Sequence, residues 1–126
     1  MTLDRSEKAL DAESAGQWRR LCSIDELVPG AGVTAWCRGE QIALFLLLAG
    51  SERNVYALAN GDPFSGANVI GRGIVGDIAA QPVVASPLYK QHFRLADGRC
   101  IESPEIALRT WPVRLRDGWV EIDMDS

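Results

Sequence analysis

From residue 18 onward, no stretch of ten residues repeats its apolar positions every third or fourth place, whereas short apolar or alternating runs recur between clusters of Gly, Pro, Asn and Asp. A buried helix needs the first pattern over several turns; a strand needs only a few residues of the second. The runs are 18–23, 33–37, 41–48, 55–60, 73–78, 82–86, 91–95, 113–116 and 119–122. Arg38-Gly39, Asp97-Gly98 and Asp117-Gly118 fall between or beside them. Such dipeptides accept the positive φ angles of tight turns, so the flanking runs are expected to fold back as antiparallel hairpins. The chain reads as all-β, one sandwich or small barrel with two long Gly- and Pro-bearing loops, 60–73 and 86–90.

The longest apolar run, 42–49, is far too short to span a bilayer and reads as a buried strand. Ser23 is placed to cap a single helical turn before Pro29-Gly30 redirects the chain. Residues 1–17 differ. Leu3 and Leu10 lie a heptad apart with Ala9 and Ala12 among charges, too little apolar area to offset ordering, so 1–17 is expected to be a tail and 18–126 the domain. That tail lacks the apolar stretch of a signal peptide. Without such a stretch and without a spanning apolar run, the chain is expected in the cytoplasm and off the membrane, and Cys22, Cys37 and Cys100, odd in number and widely spaced unlike a secreted disulfide framework, are expected to be reduced thiols. A net charge of −4 argues against nucleic acid as a partner, because phosphate binding needs clustered Lys and Arg.

Catalytic chemistry is hard to assemble from these residues. Gly71-Arg72-Gly73-Ile74-Val75-Gly76 fits G-x-G-x-x-G, with Asp97 about twenty residues beyond. That fingerprint needs a helix after the glycines to meet a pyrophosphate, and the stretch ending at Pro82 has no room for one; glycines shaping a loop and a hairpin are the better reading. His92 is the one histidine, and Cys22, Cys37 and Cys100 include no close pair such as C-x-x-C, so neither a zinc site nor a Cys–His nucleophile is expected. Asp62, Asp77, Glu102 and Glu105 read as solvated turn carboxylates, and Ser103-Pro104 can open a short helical turn. Core packing is the leading account of Trp18, Trp36, Trp111 and Trp119. Phe64, Leu88 and Tyr89 sit in the loops with no sheet face to enter, and either pack the loops on themselves or form a docking patch.

Read together, Asp62-Pro63-Phe64-Ser65-Gly66 and Ser86-Pro87-Leu88-Tyr89 resemble the two cluster-binding loops of the Rieske fold, Cys-Pro-His-x-Gly and Cys-Pro-x-His. The prolines and the glycine remain, while Asp62, Phe64, Ser86 and Tyr89 stand where the [2Fe–2S] ligands would be. Continued through 72–77 and 82–93, the sequence is similar to the small subunit of assimilatory NADH-dependent nitrite reductase, over about 18–122. That resemblance implies a Rieske-like antiparallel β-sandwich or barrel of stacked small sheets. It also implies an accessory subunit with no cofactor, metal or catalytic residue of its own, inactive in isolation. Its partner would be a large subunit carrying FAD, an iron–sulfur cluster and sirohaem, which reduces nitrite to ammonium by six electrons from NAD(P)H. Phe64 is then expected to fill the former cluster space with Tyr89 over it, and Phe64, Arg72, Leu88, Tyr89, Lys90 and His92 become candidate interface residues. The alternative function is a free-standing adaptor or regulatory module on a ligand-free Rieske fold.

Overall fold

A computed structural model describes residues 18–125 as ten strands in three antiparallel sheets. In chain order the strands are β1 (Trp18–Ser23), β2 (Gly32–Cys37), β3 (Glu40–Ala49), β4 (Glu52–Ala59), β5 (Ile74–Ile78), β6 (Gln81–Ala85), β7 (His92–Arg94), β8 (Thr110–Trp111), β9 (Val113–Arg116) and β10 (Trp119–Asp123). The sheets run β1-β10-β9, β2-β3-β4-β8 and β5-β6-β7. Turn chemistry sets the hairpins as expected. Arg38 and Gly39 have φ of 52° and 78° between β2 and β3, and Asp117 and Gly118 have 53° and 80° between β9 and β10. Both are pairs of left-handed residues, whose twist matches the strands they join. Ser23 caps the 3-10 turn Ile24–Glu26, its hydroxyl accepting the Asp25 N–H at 3.2 Å.

The apolar run in β3 has a specific cause. A strand sends successive side chains to opposite faces, so a continuous run is stable only where both faces are covered. Ile42, Leu44 and Leu46 enter one core with Cys22, Val120 and Ile122 of the first sheet. Ala43 and Phe45 enter a second core with Val84, Phe93, Leu95 and Cys100 on the side of the third sheet. The second sheet is thus the middle layer of three. No helix among the described residues is long and apolar enough to cross a membrane; the expected tail, 1–17, lies outside the described residues.

Two expectations need correction. Strand β8 has only two ladder partners, Ala57 and Leu58, and precedes Pro112, so it leaves no alternating run to read. Of the tryptophans, Trp111 alone is buried, while Trp36 is 66% exposed. In β2, Val33, Ala35 and Cys37 pack toward the first core, which turns Trp36 the other way. In β10, Val120 and Ile122 take the inward places and Trp119 the outer face, where the Arg20 guanidinium lies 5.0 Å from its ring; Arg114 lies 4.2 Å from the Trp18 ring. Between these arginines the buried Glu121 accepts Arg114 Nε at 2.7 Å and pairs with Arg20.

Candidate functional site

Both long loops lie at one end of the third sheet. The first is organised from Asn60, whose buried side chain donates to Gln41 Oε1 at 2.9 Å and to the Asn68 carbonyl at 3.2 Å, and accepts the Gly71 N–H at 2.7 Å. Gly71 and Gly32 let this loop lie directly on β2: a Cβ on Gly32 would stand 2.2 Å from the Gly71 carbonyl oxygen. After Gly73 the chain enters β5 and not a helix, so the glycines of the G-x-G-x-x-G stretch serve close packing and a hairpin.

Asp62 opens the turn at the loop tip, its carbonyl accepting the Gly66 N–H at 2.7 Å. Its Oδ1 accepts the N–H of Phe64 at 2.8 Å and of Ser65 at 3.4 Å. The expected turn is present, but the expected solvation is not: Asp62 is 1% exposed. Its burial is compensated by Ser86 on the second loop, equally buried, whose hydroxyl donates to Asp62 Oδ2. The second loop closes on itself, with the Ser86 N–H donating to the Gln91 carbonyl at 2.9 Å and the Lys90 N–H to the Ser86 carbonyl at 3.1 Å. Lys90 takes a positive φ of 65° to make the return.

The structure divides the candidate interface residues. Phe64 turns inward, its ring centroid 6.2 Å from that of Phe93 and tilted by 44°. Tyr89, on the second loop, is 61% exposed, beside exposed Leu88. The aromatic partner of Phe64 comes from the second core because Phe93 already fills the space beneath the loop. Arg72 and Lys90 are exposed at the rim. His92 is half-buried and held from within the chain: its ring Nδ1 lies 2.6 Å from Glu102 Oε2, and its backbone N–H donates to Glu102 Oε1 at 2.8 Å. Burial opposes ionisation of Glu102, but these two contacts hold its carboxyl below the usual range. Ile74 is an addition that sequence reasoning missed. It pairs with Ala85, which pairs with His92, so the three form a row across the third sheet next to the second loop, and Ile74 is 75% exposed. Its one sequence signal is an isoleucine alternating with Val75, which packs inward.

The resemblance to Rieske loops can be tested against these atoms. A Rieske [2Fe–2S] centre takes two thiolates and two imidazoles. Asp62 and Ser86 spend their oxygens on each other and on loop N–H groups, Phe64 has no donor atom, and Tyr89 offers only a phenol. This donor set does not fit the cluster. Cys22 and Cys37 belong with the first core and Cys100 with the second, where its Sγ lies 3.7 Å from the Glu102 carboxylate that also holds His92, so the three cysteines and His92 do not meet at one place. No group of three or more His, Cys, Asp or Glu able to hold a metal occurs among the described residues.

Comparison with known proteins gives a consistent relationship. The sequence profile of the Rieske-like [2Fe-2S] domain matches residues 17–123. The nitrite reductase (NADH) small subunit of Salmonella typhimurium is 41% identical over 106 residues, covering 84% of this chain and 96% of that protein. A nitrite reductase [NAD(P)H] large subunit of Klebsiella oxytoca is 46% identical over 105 residues, which are 82% of this chain and 11% of that protein. The NMR structure of the Escherichia coli protein NirD matches with a TM-score of 0.78 at 38% identity, covering 87% of this chain and 98% of that chain. With most of its length matched by the domain profile and by a small subunit of nearly the same extent, this chain belongs to the Rieske-like [2Fe-2S] domain family and, within it, to the nitrite reductase (NADH) small subunits.

Proposed function

We propose that this chain is the accessory subunit of a cytoplasmic NAD(P)H-dependent nitrite reductase and docks on the large subunit through the loop end of its third sheet. In this reading the large subunit carries FAD, an iron–sulfur cluster and sirohaem and reduces nitrite to ammonium, while this chain holds no redox centre and has no turnover alone. The observation that carries the reading is the Klebsiella large subunit, which contains a segment 46% identical to this chain within its own length. A domain that is covalently part of a large subunit in one organism and a separate chain in another has a function beside that subunit, because joining the two replaces an affinity with a high effective concentration.

The loop end supports docking in its composition. Leu88, Tyr89 and Ile74 are three large exposed apolar side chains at one place, with Arg72 and Lys90 at the margin. Apolar centres with a charged rim suit protein interfaces. Phe64 contributes from beneath, as support.

The test is co-expression with the cognate large subunit. Wild-type chain should co-purify with it and restore full nitrite turnover. Leu88→Glu with Tyr89→Glu should raise the Kd by about 30-fold or more, as loss of a hot spot does. Unchanged assembly and turnover in that variant, or nitrite reduction by the isolated chain with a chemical reductant, would overturn the reading.

A further inference from the structure

The two loops are each closed by their own backbone bonds, and one hydrogen bond among the described residues joins them: the Ser86 hydroxyl to Asp62 Oδ2, between residues 24 positions apart. That bond is the middle of a longer path. The Leu88 N–H lies 3.4 Å from Ser86 Oγ, and Asp62 Oδ1 accepts the Phe64 and Ser65 N–H groups. The path therefore runs from the tip of one loop to the tip of the other. It is buried at both of its side chains, so water does not compete for it, and removing either partner leaves the other without its mate.

We infer that Asp62 and Ser86 are positioning residues, a buried carboxylate–hydroxyl clasp that locks loop 60–73 to loop 86–90 and so fixes Leu88 and Tyr89 beside Ile74 for the large subunit. The inference rests on the docking reading above. Its chemistry is economical. In a cluster-bearing Rieske domain a metal centre ties the two loops together. Here the donor set cannot hold one, and the two positions that the resemblance assigns to thiolates are the two that bond to each other. A loop that tips freely would lose ordering entropy on docking, and a clasped loop has lost it beforehand. Neither residue needs to touch the partner. Asp62 and Ser86 act through the backbone of Phe64 and Leu88.

Amide exchange of the full chain and affinity for the cognate large subunit, measured on the same variants, test this. Ser86→Ala should speed exchange of the Phe64, Ser65 and Leu88 N–H groups by about ten-fold or more, leave those of Val84 and Phe93 unchanged, and raise the Kd by about ten-fold. Asp62→Asn keeps Oδ1 for the loop N–H groups and sets an amide opposite the Ser86 oxygen, so it should stay within about three-fold of wild type in both readouts. Asp62→Ala with Ser86→Ala should be no faster than Asp62→Ala alone, since the two residues act as one unit. Unchanged loop exchange in Ser86→Ala overturns the clasp. Faster exchange with an unchanged Kd overturns its role in positioning. Failure of the wild-type chain to bind the large subunit overturns the docking reading and the positioning role with it, while the exchange data decide the clasp independently.

Discussion

Asp62 and Asp97 are both turn aspartates, and what their oxygens meet makes them different residues. Asp62 faces a hydroxyl from a distant loop and is buried. Asp97 stays at the surface, where Arg94 Nε donates to its Oδ1 at 3.0 Å and the Arg99 N–H to the same oxygen at 3.0 Å. The Arg94 side chain, aided by Arg99 and against a small cost of burial, holds the Asp97 carboxyl at about 2 instead of 3.8. A carboxyl with a lowered folded value stabilises the fold above its unfolded value and loses that contribution as pH falls through its folded value. Asp97→Asn should therefore flatten the acid limb of stability between pH 3.8 and about 2, read from urea midpoints across that range. With the side chain 42% exposed, solvent screening keeps the effect below about 1 kcal/mol. An acid limb as steep as that of wild type would count against the Arg94–Asp97 pair. The thiols follow the same logic with opposite sign. Burial, with Glu26 adding to it, pushes Cys22 up to about 11, and burial pushes Cys100 up as well. Both should resist iodoacetamide at pH 8 in the native chain and react once it is unfolded, as mass spectrometry can follow; rapid native labelling of Cys22 would contradict its burial.

At the scale of elements, the contact between β2 and the first loop is made by absent side chains. Gly32 and Gly71 bring two backbones together so closely that a Cβ on Gly32 would also stand 2.8 Å from the Phe45 ring. Gly32→Ala should cost about 1–3 kcal/mol, the usual range for overpacking a tight contact, and should shift the Asn60 and Gly71 amide resonances before those of β10. A neutral effect on the denaturation midpoint would show that the loop can lift without cost. This contact also marks where sequence reading ends. The β3 run, the hairpin dipeptides and the Ser23 cap were legible because each is local: alternation, positive φ and capping depend on neighbours in the chain. Strand β8 was not, because two residues before a proline make no pattern and only the edge of β4 gives them a role. The direction of each tryptophan depends on which face of its strand is covered, which the run of residues does not specify. The loops were recognisable as a pair from their prolines and spacing. The burial of Asp62, however, is compensated by Ser86 from the other loop, and Ile74 is exposed because the second core covers the opposite face of β5, where Val75 packs; both are long-range facts.

The molecule as a whole is a three-layer stack with the loops on one outer layer, and this separates stability from docking. The middle sheet lends one face to each core, so damage to either core weakens the layer both depend on, and a single cooperative transition is expected for any core variant. Ile122 lies in the core away from the loops and Phe93 in the core beneath them; both are fully buried. Ile122→Ala should cost about 2–5 kcal/mol and Phe93→Ala about 3–5 kcal/mol, which makes them a matched pair of global insults. Their local effects should differ. Phe93 supports the Phe64 ring, and its removal takes away the floor of the first loop. Under conditions where both variants remain folded, Phe93→Ala should speed exchange at Phe64, Ser65 and Leu88 beyond what the lower global stability accounts for and should weaken docking on the large subunit. Ile122→Ala should move all protected amides together and leave the affinity of the folded chain unchanged. If Ile122→Ala loosened the loops as much as Phe93→Ala does, the two cores would not be mechanically distinct, and the loop end would be set by overall stability and not by the layer on which it rests.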